Sequence, residues 1–246
     1  MAIHDSSSQR LYVTAPLGTG IDVTLSEDQA HYLINVLRLK QGQAVLIFNG
    51  RDGEWRAVMR DARKKSATLH VEQQVRVQTT GPDIAYVFAP LKRSRLDYMV
   101  QKATELGVAS LHPVITQHTI AERVNVERMK ANVIEAAEQC GILRVPAVHD
   151  PLTLDKILSA WDSSRPLIFC NEAAEYDSPI TKLQKIPQGP LAVLIGPEGG
   201  FSDKERAALC ALPFVHSLSL GPRIMRADTA AVACLALINA TLGDWR

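Results

Sequence analysis

Along the first 80 residues the apolar positions come in short, partly alternating runs at 10–13, 21–25, 44–48, 55–59 and 67–71. Successive side chains of a strand point to opposite faces, so runs of this kind predict short, half-buried strands. One stretch breaks the pattern. Ser26, followed three residues later by Gln29, has the spacing of a capping box, and residues 31–39 carry an apolar helical face that stops at Gly42. Asn49-Gly50 and Asp52-Gly53 separate two of the runs and predict a hairpin turn. Many short strands with one helix predict a small β-barrel.

The pattern changes after the polar, Gly-Pro-bearing stretch at 77–83, which predicts a domain boundary with units at 1–76 and 77–246. Beyond it, strands alternate with helices. A strand at 84–89 precedes a helix on which Leu96, Met99, Val100, Ala103 and Leu106 share a face, closed by Gly107. A strand at 108–114 and a helix at 126–140 follow, the helix ending at Gly141. A helix is expected over 152–161, a short strand over 166–170, and a loop or weak helix over 178–189. Strands at 191–195 and 215–220 each run into a Gly-Pro loop and then a helix. This alternation predicts an α/β fold with a mostly parallel sheet covered on both faces.

Composition changes this picture little. Apolar residues make up 46% and charged residues 22% of 246, ordinary for a globular protein, and the formal charge of +1 decides nothing about a polyanionic partner. The four cysteines, Cys140, Cys170, Cys210 and Cys234, are widely spaced with no CxxC and no metal-type cluster, so reduced thiols and no metal are expected. The amino terminus has no apolar segment of a signal peptide, and the longest apolar stretch is too short for a bilayer. A cytoplasmic protein is the expectation.

Two glycine-bearing loops at the carboxyl ends of strands are where an α/β sheet takes a ligand. The first, Gly196-Pro197-Glu198-Gly199-Gly200, has no GxxxxGK[ST] and no GxGxxG pattern. Pro197 has no N–H and Glu198 is an anion, so the loop suits a neutral or cationic ligand better than phosphate; it reads equally as a tight structural turn. Ser202 and Glu205 form a second capping box after it. In the second loop Arg223 and Arg226 frame Ile224 and Met225, and Asp228 opens an apolar helix. The arginines either pair with Asp228 and Glu198 or hold an anionic RNA group or a deprotonated base. The basic stretch at 60–65 reads as a solvated loop or as a phosphate contact.

GPEGGFSDKE followed by SLGPRIMRADTA resembles the SPOUT methyltransferases, and within them the RsmE-type 16S rRNA (uracil-N3)-methyltransferases. The stretches HYLINVLRLKQGQ, LKRSRLDYMVQKATELGV and EAAEQCGILRVP agree in order, so the resemblance spans about residues 31 to 230. Asp228 stands where the family's loop carries a glutamate, and Ile142 where an arginine is common. The resemblance implies a PUA-like β-barrel that binds RNA, joined to an α/β SPOUT domain with a C-terminal trefoil knot. It implies S-adenosylmethionine held by Phe169, Cys170 and Asn171; by Ile195, Gly196, Pro197, Glu198, Gly199 and Gly200; and by Leu218, Leu220, Gly221, Ile224 and Met225. The implied reaction is methyl transfer to N3 of a uridine in the 16S rRNA of the small ribosomal subunit. N3 must lose its proton, so Arg226, then Arg223, are expected to stabilise the developing anion, with Asp228 or Glu198 as base or as structural groups. Arg10, Arg38, Lys92, Arg93 and Arg95 are the candidates for an RNA-facing surface, against a reading as ordinary surface charges. Similar proteins are homodimers, and the apolar closing helix at 229–242 is the expected contact, or else a buried core helix.

Three other functions compete. SPOUT ribose 2′-O-methyltransferases of tRNA or rRNA carry an Asn-rich third motif that LGPRIMRADTA does not match. A non-catalytic RNA-binding protein needs no glycine loops, and a nucleotide hydrolase needs a phosphate-binding lysine or metal ligands that the loops lack.

Overall fold

A computed structural model describes residues 9–63, 66–121, 123–175 and 177–245, with the side chain of Arg93 left out. They form two compact units. One runs to Thr80 and takes in Ala137–Val145; the other comprises Gly81–Ala136 and the chain from Pro146. The first unit therefore draws on a second, distant stretch, which no boundary read along the chain could show.

In the first unit five strands pair in the order β1-β3-β4-β5-β2: β1 (Arg10–Tyr12), β2 (Asp22–Thr24), β3 (Ala44–Phe48), β4 (Glu54–Arg63) and β5 (Ser66–Arg76). Strands β3, β4 and β5 are an antiparallel meander, and β1 adds to β3 in parallel. Leu11, Val23, Ile47, Met59 and Leu69 meet in the core with Leu33. β4 and β5 outrun the apolar pattern because the ladder shifts register at three places, so alternation is interrupted while pairing continues. Arg60 and Arg63 on this hairpin pair with Asp22 and Asp61, and the Lys64 and Lys65 of the basic stretch lie outside the described residues.

The capping box at Ser26 and Gln29 forms as expected and starts α1 (Glu27–His31). The helix continues over Tyr32–Val36 as a wider π turn, with Leu37 N–H donating to the Tyr32 carbonyl, and Tyr32, Ile34, Leu37 and Leu39 pack on the core around Leu33.

Arg10 is buried. Its Nε donates to Glu54, itself only 2% exposed, and Arg76 grips the same carboxylate while donating to the Gly141 carbonyl at 2.9 Å. The returning stretch also accepts the Tyr12 amide at Glu138 and covers Phe48 with Ala137 and Leu143.

The second unit is a parallel sheet in the order β12-β10-β11-β6-β7-β8. In chain order its elements are β6 (Ile84–Phe88), α2 (Arg93–Glu105), β7 (Ser110–Ile115), α3 (Val126–Cys140), β8 (Ala147–Val148) and β9 (Leu152–Thr153). Then come α4 (Leu154–Ser159), β10 (Leu167–Cys170), α5 (Pro179–Leu183), β11 (Leu191–Ile195), α6 (Asp203–Cys210), β12 (Val215–Leu218) and α7 (Ala227–Thr241). β6 and β11 are buried along their whole length, as an unbroken apolar run requires when helices cover both faces. The expected helix over 152–161 is a two-residue strand on β7 followed by α4, because Leu152 and Thr153 spend their backbone on the ladder. The expected strand at 215–220 stops at Leu218, which leaves Ser219 and Leu220 to the loop. No helix among the described residues is long and apolar enough to cross a membrane.

From β6 the sheet grows through β7 in one direction and through β11, β10 and β12 in the other. The loops at the carboxyl ends of β10, β11 and β12 therefore come together beside the point where the order reverses, the usual position of a ligand crevice.

Candidate cofactor cleft

Those three loops enclose a cleft of about 580 Å³. Its walls come from Cys170, Asn171 and Glu172 after β10, from residues 195–200 after β11, and from residues 218–227 with Ala230 after β12. Cys170, Asn171, Ile195, Gly196, Pro197, Glu198, Gly199, Gly200, Leu218, Leu220, Gly221, Ile224 and Met225 all line it. So do Arg223 and Arg226. Phe169 does not. It is fully buried behind the cleft, its ring perpendicular to that of Phe201 at 5.0 Å, so its part is packing and not contact.

The glycines are explained by what surrounds them. A Cβ on Gly196 would stand 2.5 Å from the ring of buried Phe201. Gly200 has φ +67° and a Cβ there would meet a Glu172 carboxylate oxygen at 2.6 Å. Glycine lets the backbone pass close to Phe201 at one place and take a left-handed turn beside Glu172 at the other.

The loop after β11 is anchored from α6. Ser202 and Glu205 complete the expected capping box, and Glu205 also accepts the Gln117 amide at 2.8 Å. Burial works to raise the Glu205 pKa, but the amides of Gln117 and Ser202, the Ser202 hydroxyl and nearby His118 outweigh it and hold the carboxyl below its ordinary value. His118 Nδ1 lies 3.2 Å from the carbonyls of Gly199 and Gly200.

Under the cleft, Tyr86 is fully buried, and its hydroxyl has no hydrogen-bond partner among the described residues. Burial above all, then the neighbouring Cys170, Cys234 and Asp228, push its pKa well up, so the phenol stays neutral. The Cys170 thiol is raised too, by its hydrogen bond with Cys234 and by burial. A neutral thiol of this kind is a poor nucleophile, and covalent catalysis through Cys170 does not fit.

The two carboxylates expected to pair with Arg223 and Arg226 have other partners. Glu198 pairs with Arg95 of α2. Asp228 takes the Thr229 amide at 2.8 Å in the first turn of α7. Arg223 and Arg226 line the cleft, are exposed and have no ion-pair partner among the described residues. Ile224 between them is 95% exposed.

The other candidates scatter. Arg10 belongs to the buried network with Glu54 and is withdrawn as a surface contact. Arg38 is exposed after α1, with φ 55°, and Lys92 is exposed at the N-cap of α2. The side chain of Arg93 lies outside the described residues, and Arg95 is at the cleft through Glu198. Sequence reasoning missed Glu172, Ala227 and Ala230 in the lining. Glu172 and Ala227 directly adjoin expected site residues, a signal that was available. No group of His, Cys, Asp or Glu among the described residues could hold a metal ion.

A parallel α/β unit with such a cleft defines a class, and comparison with known proteins agrees: the family described as "RNA methyltransferase domain" matches residues 79–239, and the "RNA methyltransferase PUA domain" matches residues 25–72. Ribosomal RNA small subunit methyltransferase E of Rickettsia conorii is 30% identical over 232 residues, 94% of each chain. The protein of that name from a Synechocystis species is 33% identical, over 89% of this chain and 73% of its own. The crystal structure of a ribosomal RNA small subunit methyltransferase E from Neisseria gonorrhoeae, bound to S-adenosyl methionine, superposes with a TM-score of 0.84 at 27% identity, over 97% of this chain and all of the other. The chain belongs to the ribosomal RNA small subunit methyltransferase E family.

Proposed function

We propose that this protein transfers a methyl group from S-adenosylmethionine to N3 of a uridine in 16S rRNA of the small ribosomal subunit. The observation that carries the reading is the cleft itself: glycine-bearing loops, apolar lining residues and two arginines without an ion-pair partner among the described residues. The donor set fits the cofactor. Leu218, Leu220 and Met225 can pack an adenine ring, main-chain groups of the 196–200 and 218–221 stretches can read its edge, and no phosphate-binding lysine is present. When bound, the cofactor supplies an electrophilic methyl on a sulfonium.

The chain's own task is the uridine. Uracil N3 attacks only after losing its proton, so negative charge develops on the base. Arg226, with Arg223, stabilises that charge from the cleft mouth. Glu198 is neutralised by Arg95 and is a weak candidate for the base; Asp228 has one oxygen committed to Thr229, and serves as helix-start anion first. Arg38 on the first unit and Lys92 and Arg93 on the second remain candidates for phosphate contacts.

The same proposal includes a division of labour between the two units, with the β-barrel, completed by Ala137–Val145, binding RNA. It also includes a homodimer through α7, where Val232, Ala233, Ala236 and Leu237 stay only half-buried. The C-terminal knot is part of it as well. What supports the knot is the crowding of three loops from β10, β11 and β12 into one cleft. Action on ribosomal RNA makes the cytoplasm its place of work.

The test is transfer of labelled methyl to unmethylated small subunits and, separately, to naked 16S RNA, followed by nucleoside digestion. Label in 3-methyluridine supports the proposal. Label on a ribose, or none on either RNA while the cofactor binds, overturns it.

A further inference from the structure

One side chain that reaches the cleft's framework comes from a helix outside the cleft. Arg206 of α6 donates from Nη1 to the Asn171 side-chain oxygen at 2.7 Å. From Nη2 it reaches the Glu172 carboxylate and the Phe201 carbonyl, each at 3.2 Å. Asn171 is 6% exposed and passes the connection on, its amide nitrogen donating to Ser217 Oγ of β12 at 3.0 Å and its oxygen also accepting the Ala173 amide. Glu172 in turn fills the space against Gly200 that a Cβ would need. One planar, permanently charged fork thus holds the loop after β10, the end of the loop after β11 and, through Asn171, the strand that leads into the third loop. The preceding residue, Glu205, ties the same helix start to Gln117 of the loop after β7.

We infer that Arg206 is a positioning residue that sets the spacing of the three cofactor loops, and so governs affinity for S-adenosylmethionine without touching the reacting atoms. This rests on the cofactor reading above. Three flexible loops that must close on one ligand each lose conformational freedom on binding, and a brace already present in the free protein removes part of that cost. A lysine offers its three donors from one flexible point and lacks the planar fork, so it reaches acceptors on two loops less well.

The experiment compares wild type with Arg206→Met and Arg206→Lys in three measurements: calorimetric affinity for S-adenosylmethionine, steady-state kinetics with saturating RNA, and amide exchange of the cofactor-free protein. Loss of charge-assisted bonds of this kind predicts an approximately ten-fold weaker cofactor affinity for Arg206→Met. KM for the cofactor should rise in step while kcat stays within about two-fold, and the lysine variant should fall between. Exchange should quicken in peptides covering 171–174 and 196–201 while those from β6 and β11 keep their protection. Unchanged affinity and unchanged loop exchange overturn the inference, and so does faster exchange throughout, which would mean general destabilisation. Should wild type bind no S-adenosylmethionine, the cofactor reading fails, and loop exchange still decides whether Arg206 is the brace.

Discussion

Gly196 shows how much a single atom decides at the cleft. Its missing Cβ is the space in which the Phe201 ring lies, and that ring cannot swing aside because it is buried edge-on against Phe169. Gly196→Ala must push the ring or the loop, an overpacking cost of about 1–3 kcal/mol. The expected result is a lower urea midpoint together with weaker cofactor binding; a variant with wild-type stability and affinity would refute it. Arg226 acts in the opposite way: it caps α7 with its backbone carbonyl, and its side chain has no ion-pair partner among the described residues. Arg226→Ala should lose turnover by roughly 10- to 100-fold, less than a fully enclosed donor would, since the group is exposed to screening solvent. Cofactor affinity by calorimetry should stay within about two-fold, and turnover unchanged under single-turnover conditions would remove Arg226 from the chemistry.

Among the elements, β7 carries an ionisable group in an unfavourable place. Burial first, then His149 stacked at 4.1 Å and Arg165, lower the pKa of His112 from 6.5 to about 4. The folded protein keeps this imidazole neutral where the unfolded chain binds a proton. Its contribution to stability is therefore fully present above pH 6.5 and is lost as pH falls towards about 4. Urea unfolding of wild type and His112→Gln at about pH 7 and about pH 4.5 measures it: the acid-induced drop should be smaller in the variant. Equal drops would show that His112 is not linked to folding. The elements themselves were largely legible. Apolar runs marked β3, α3 and β11 to the residue, and both capping boxes started the helices expected of them. The two-residue β8 and β9 were not, because strands that short have no period to read.

At the level of the whole molecule, the first unit is finished by residues 137–145. A fragment ending at Thr80 loses the acceptor of the Tyr12 amide and the Gly141 carbonyl, which shares Arg76 Nη2 with Glu54, and uncovers Phe48. We expect that fragment to unfold at lower urea and to bind a hydrophobic dye, and a version with 137–145 fused through a flexible Gly/Ser linker to recover. Equal midpoints for the two would mean that the returning stretch is not needed.

From the chain alone come the class of fold, the order of the elements, and the loops that hold the cleft. Each of these follows from periodicity, caps and glycine-bearing turns, which are local properties. The resemblance in those loops also led to the family. Only tertiary structure could move Arg10 from the surface into a buried pair with Glu54, place Phe169 behind the cleft, or leave Arg223 and Arg226 without an ion-pair partner among the described residues while Glu198 took Arg95. Whether a charge is paired depends on neighbours 44 or 103 residues away, as with Arg10 and Glu54 or Arg95 and Glu198, and no pattern along the chain records that distance in space. Arg206 is the extreme case: it belongs to no motif, and its importance appears only where two loops meet around one guanidinium and Asn171 carries the connection to β12.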